Sequence, residues 1–107
     1  MASLNTLPLP KLDIHGASVR GTRLDRASLV GANLAGANAT NASFRGADLA
    51  EAKLTGTILR GADLTNALNV TEEQLAEAVI DDRTLLPGYI DRKRVLQLAQ
   101  RARARTS

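Results

Sequence analysis

Residues 12–66, cut into fives, read LDIHG ASVRG TRLDR ASLVG ANLAG ANATN ASFRG ADLAE AKLTG TILRG ADLTN. The third column holds Ile14, Val19, Leu24, Leu29, Leu34, Ala39, Phe44, Leu49, Leu54, Leu59 and Leu64. The first column is small, alanine or threonine in every unit after Leu12. A helix would place apolar residues at i, i+3, i+4 and i+7, and a strand would alternate strictly. A period of five with two inward positions instead suits a short extended segment followed by a tight turn. The fifth column agrees: it is glycine or asparagine in nine of eleven units, the types that best tolerate a positive φ or a crowded corner.

Units such as Ala32-Asn33-Leu34, Ala47-Asp48-Leu49 and Ala62-Asp63-Leu64 resemble the A-(D/N)-L-x-x consensus of the pentapeptide-repeat family. The resemblance implies an all-β solenoid, a right-handed quadrilateral β-helix with four units per coil and the first and third columns pointing inward. Residues 12–66 then make just under three coils, about 13 Å of stack at one strand spacing per coil. The same layout puts Leu34, Ala39, Phe44 and Leu49 in one layer. There the small Ala39 is expected to make room for the large Phe44, since interiors are close-packed.

The repeat falters at Ala67-Leu68-Asn69, and a helix start follows. Thr71 and Gln74 have the spacing of a capping box, Glu72 and Glu73 suit a helix N-terminus, and Val70 with Leu75 forms a candidate hydrophobic staple. Residues 67–90 are thus expected to be a C-terminal capping helix and turn, with Leu75, Val79, Leu85 and Leu86 covering the last coil. An uncovered β-helix end would invite edge pairing. Residues 1–11, with Leu4, Leu7 and Leu9, are expected to form an extended cap at the other end. Pro87-Gly88 breaks the chain. Residues 91–107 then read as a basic amphipathic tail helix, with Val95, Leu98 and Ala102 at helical spacing.

Composition fits a lattice of small residues better than a conventional core. The 107 residues include one Phe, one Tyr and no Trp, with net charge +3. Residues 12–66 carry six positive and five negative side chains. The tail sets Arg92, Lys93, Arg94, Arg101, Arg103 and Arg105 against Asp91 alone. Cysteine is absent, which excludes disulfides and thiolate chemistry. Residues 1–10 lack the charged and apolar regions of a signal peptide, and no stretch approaches a membrane span. A cytoplasmic location is therefore the expectation.

Enzymatic chemistry finds no constellation. His15, the one histidine, lacks ligand partners at useful spacing and should face solvent. Ser18, Ser28 and Ser43 occupy the second column without a placed base, so nucleophilic catalysis is not expected. Asp81-Asp82 reads as a turn former, and the glycines, spaced by five, read as corners rather than a phosphate loop. No catalytic residue, metal site or cofactor is predicted.

The chain is expected to be a non-catalytic interaction or scaffold module whose partner is another protein. The four-sided layout places Arg20 and Arg60 on one side and Arg23, Arg26 and Arg45 on the next. These five, together with Val95, Leu98 and Ala102, are the candidate interaction surface, and a homodimer through the C-terminal helices is an alternative. Some members of the resembled family act on DNA gyrase by imitating duplex DNA. That implies a long acidic rod, so a gyrase or topoisomerase role is disfavoured here. Weak nucleic-acid binding through the tail is a further alternative, disfavoured by the lack of aromatic residues for base stacking.

Overall fold

In a computed structural model of the chain, residues 11–106 are described, with side chains through Arg103. Of the expected cap over residues 1–11, all but Lys11 lies outside them. Within the repeats, every second-column residue pairs in parallel with the residue twenty positions on: Asp13 with Asn33, Ser18 with Asn38, Arg23 with Ser43 and Ser28 with Asp48. The pairing continues through Lys53, Ile58, Asp63 and Leu68. Four units therefore complete one coil, and the sides begin at Leu12, Ala17, Thr22 and Ala27.

Each unit contributes one bridged residue rather than a long strand, because a turn follows immediately. Ala37 N–H donates to Leu34 O at 3.0 Å, closing such a turn, with Gly36 at φ 69°. Five corners place a non-glycine residue at positive φ: Arg26, Asn41, Glu51, Asn66 and Asn69. Asparagine adopts this region readily, whereas Arg26 and Glu51 clash through Cβ, at about 1–2 kcal/mol each. Among the described residues, Glu51 makes no side-chain hydrogen bond or ion pair that would offset this strain. Glu51→Gly is therefore expected to raise stability by about 0.5–1 kcal/mol, after the greater unfolded-state freedom of glycine is subtracted. A denaturant titration showing lower stability would contradict it.

The first and third columns form the core. Leu29, Leu34, Ala39, Phe44, Leu49, Leu54, Leu59 and Leu64 are buried, and Ile14, Val19 and Leu24 are half-buried and packed against them. Between Phe44, Leu49, Leu54, Leu59 and Leu64 there is no room for a water molecule. The one buried threonine of the repeats, Thr57, is tolerated in the small column because its hydroxyl donates to Leu34 O at 2.7 Å. An unpaired hydroxyl there would be costly.

The ladder outlasts the sequence repeat. Leu68 pairs with Asp48, Val79 with Ile58, and Leu85 with Asp63. The helix α1 (Glu72–Glu77) takes the place of the first side in this last coil, and Gly56 N–H donates to Glu77 O at 2.8 Å. Ala78-Val79-Ile80 and Thr84-Leu85-Leu86 then behave as first, second and third columns. Ala78, Ile80 and Leu86 pack on the core, and the Thr84 hydroxyl donates to Leu59 O at 2.8 Å.

This corrects two expectations. Val79 and Leu85 occupy the bridging column, whose side chains point outward, and are 36% and 51% exposed. They close the end through their backbones, not their side chains. Leu75 is buried, as is Val70. A second helix, α2 (Arg92–Thr106), packs against α1. Its Val95 is 1% exposed and joins the core cluster, with Ile90 packed beside it. The tail helix is thus part of the closure of this end.

Side chains supply what the ladder lacks at its last edge. In every earlier coil, a first-column carbonyl accepts from the second-column N–H of the next coil. At Thr57 and Ala62 that donor is Val79 N–H and Leu85 N–H. At Ala52 it is the Gln74 amide, 2.9 Å away. At Ala67 it is the Tyr89 hydroxyl, 2.6 Å away, which also accepts from Val70 N–H. Buried backbone carbonyls are rarely left without partners, and here three different chemistries meet that demand.

No helix among the described residues is long and apolar enough to cross a membrane.

Candidate interaction surface

Because second-column and turn residues point outward, the ladder fixes their positions on four sides. Arg20 and Arg60 lie on the second side and Arg23, Arg26 and Arg45 on the third, all exposed. Among the described residues, only Arg45 of these five has a side-chain partner, the Asp63 carboxylate at 3.0 Å. Such an exposed pair is worth little in stability, typically 0–1 kcal/mol, so it orients Arg45 rather than anchoring the fold.

The third side carries most of the polar structure. Asp25 accepts from the Ser43 hydroxyl and from Arg45 N–H at 3.2 Å. Asp63 accepts from Thr65 N–H at 2.9 Å and from the Thr65 hydroxyl. Partial burial raises the Asp63 pKa, but the bonds from Thr65 and Arg45 outweigh it and hold the carboxyl below the usual aspartate range. Asp25, Arg26, Arg45, Gly46 and Asn66 line an open hollow of about 520 Å³ on this side.

His15 faces solvent on the first side, its Nδ1 2.6 Å from Asp13 Oδ1. Among the described residues, no three His, Cys, Asp or Glu side chains cluster as metal ligands would.

Of the tail residues, Val95 is enclosed in the cap, so it is withdrawn from the candidate surface. Leu98 is half-buried and Ala102 exposed. Ala99 and Ala102 line a shallow groove with Thr55, Ala76 and Val79. Arg92 is likewise committed to the cap: its guanidinium donates to Asp81 O at 3.1 Å and to Thr84 O. The sequence marked it only as tail charge.

Asp81 does more than form a turn. Its carboxylate accepts from Arg83 N–H and also from Gly61 N–H, both at 3.0 Å, standing in for a ladder carbonyl. The bond from Gly61 N–H is the largest influence holding its pKa below the usual aspartate value. A carboxyl depressed in the folded state stabilises fully above its unfolded pKa, about 3.9, and loses that contribution as pH falls through the folded value. Stability is therefore expected to be flat near neutrality and to decline in acid below about pH 4. Asp81→Asn, which keeps an acceptor oxygen but cannot titrate, should show a shallower acid decline in denaturant midpoints. An unchanged acid slope would contradict this role.

Residues 27–66 match the family model described as pentapeptide repeats, in eight copies. The three units before Ala27 lie outside that match but share the same ladder. The structure is similar to that of alr5209, a pentapeptide repeat protein from Nostoc Pcc 7120. That likeness has a TM-score of 0.58 at 24% identity and covers 80% of this chain and 78% of that one. It is also similar to QnrB1, a plasmid-mediated fluoroquinolone resistance protein, with a TM-score of 0.58 at 15% identity. Here the likeness covers 84% of this chain and 41% of the other, so this chain spans less than half of QnrB1. No curated protein is matched by the sequence. At these identities the likeness carries the fold, a right-handed quadrilateral β-helix, and nothing further.

Proposed function

We propose, from the match of residues 27–66 to the pentapeptide-repeat family model, that the protein is a non-catalytic interaction module whose partner is another protein. The array is read as just under three coils, extended by the stretched coil of residues 67–86 and closed by α2. The observation that carries the proposal is the set of exposed arginines at 20, 23, 26 and 60, held on two adjoining sides without side-chain partners among the described residues. A surface already ordered by a backbone ladder loses little freedom on binding, so modest contacts suffice for recognition.

The experiment is a comparative capture from the native cell. The wild-type chain and a variant with Arg20, Arg23, Arg26, Arg45 and Arg60 all changed to glutamine serve as baits. A protein retained by the first and lost by the second, with the variant still folded by circular dichroism, is the expected result. Identical captures from both baits would overturn the placement of the surface.

A further inference from the structure

The hollow on the third side combines a strained residue with unpaired donors. Seven of the turn corners are glycines at positive φ, yet the first coil of this side places Arg26 there, at φ 61°. Non-glycine residues persist in such conformations where the surroundings hold them, and they concentrate at functional positions. Among the described residues, the Arg26 side chain makes no hydrogen bond or ion pair that would explain its presence. Its side chain lies along the next corner, which is Gly46. A Cβ added there would come within 3.3 Å of Arg26 Cγ. The bare corner thus leaves room for the arginine, which lines the hollow together with Arg45 and Asn66.

Both carboxylates near the hollow already have donors. Asp25 is held by Ser43 and Arg45 N–H, and Asp63 by Thr65 and the Arg45 guanidinium. Arg45 is paired with Asp63, whereas Arg26 has no ion-pair partner among the described residues; Arg20, Arg23, Arg26 and Arg60 leave these two sides net positive against the remaining charge of Asp25, with the Asn66 amide as a neutral neighbour. Guanidinium groups receive carboxylates in a two-pronged fit. A duplex is a poorer match, because its stiff, uniformly charged backbone cannot bend away from Asp25 as a flexible peptide can. The hollow also has no aromatic lining for bases;.

We propose that this hollow is the docking point for an acidic segment of a partner protein, with one carboxylate on Arg26 and the flanking Arg20, Arg23 and Arg60 attracting its neighbours. The assignment rests on the interaction-module reading and gives the partner its chemistry.

Fluorescently labelled octaglutamate at low salt is the probe, followed by anisotropy, with a short DNA duplex as the second ligand. Wild-type protein should bind octaglutamate in preference to the duplex. Arg26→Gly should weaken that binding at least tenfold while leaving the melting temperature unchanged or higher, because the substitution removes strain. Arg26→Gln should weaken it similarly with the strain retained. Arg94→Gln/Arg101→Gln, on the tail helix, should bind as wild type does. The proposal is overturned by absence of octaglutamate binding, by undiminished binding in Arg26→Gly, by loss confined to the tail variant, or by tighter binding of the duplex. If octaglutamate is not bound yet the capture experiment returns an arginine-dependent protein, this inference falls and the module reading stands. If octaglutamate binds at Arg26 but no cellular protein is captured, the module reading falls and the docking assignment falls with it.

Discussion

Phe44→Ala is expected to lower stability by about 3–5 kcal/mol. Phe44 is fully buried, in the layer it shares with Leu34, Ala39 and Leu49, all at most 1% exposed. Truncation removes the largest side chain of the core and leaves a void that neighbours cannot fill. The ladder holds their backbones in place, from Ser43 N–H donating to Thr22 O to Phe44 N–H donating to Asp63 O. With a typical total of about 5–15 kcal/mol for a small protein, that loss moves the denaturation midpoint far. A change below about 1 kcal/mol would mean the void collapses, against the rigidity argued here.

The layer adds a sharper test. Ala39 is the small residue in the layer that holds the large one. Ala39→Leu alone should overpack the interior, costing about 1–3 kcal/mol. Combined with Phe44→Ala, the added methyl groups have space, so the double variant should be more stable than the sum of its parts predicts. Contacting residues commonly couple by about 0.5–3 kcal/mol. Strict additivity would show that the two side chains fill separate spaces.

The repeats were legible because one period governs both burial and pairing. From Leu29 to Leu64 the first and third columns are buried throughout, so a column of leucines announces a core, although Leu12 and Thr22 of the first coil are exposed. The closing segment obeys the same pairing with a different count. Ile58 pairs with Val79, twenty-one residues on, and Asp63 with Leu85, twenty-two on. Helix α1 and the loop at Asp81–Thr84 absorb the additional residues, which destroys the period while the backbone ladder persists. For that reason Val79 and Leu85 read as inward apolar residues, although they occupy the outward bridging column. The triplets Ala78-Val79-Ile80 and Thr84-Leu85-Leu86 held the missed signal, each a small residue two places before a large one.

Tyr89 and Arg92 were hidden for another reason. Each acts on a backbone carbonyl distant in sequence, Ala67 for the tyrosine, and Asp81 and Thr84 for the arginine. A local pattern shows donors but not which carbonyls the fold leaves without partners. The sides of the outward arginines follow from four units per coil alone. Their pairing state, and the strain at Arg26, required backbone angles and side-chain neighbours.

Gln74→Glu is the second large effect, and it separates two roles of one residue. As the third helical residue, Gln74 accepts from Thr71 N–H through Oε1 at 2.8 Å, while its own N–H donates to Thr71 Oγ1. Glutamate serves a capping box as well as glutamine does, so the box alone predicts almost no change. Gln74 Nε2, however, donates to Leu49 O and Ala52 O, both at 2.9 Å. A carboxylate there would have no proton to offer and would face two carbonyl oxygens. Losing two hydrogen bonds, at about 0.5–1.5 kcal/mol each, and adding repulsion should cost about 2–4 kcal/mol. Gln74→Ala, which loses the bonds without the repulsion, should cost less. Acid supplies the sign: a carboxyl facing carbonyls has its folded pKa raised. The variant is then relatively more stable below its unfolded pKa and loses that advantage as pH rises through the folded one. Denaturant midpoints of Gln74→Glu should therefore approach those of wild type on acidification. If the two remain equal at neutral pH, Gln74 serves the helix start alone and the edge carbonyl at Ala52 finds its donor elsewhere.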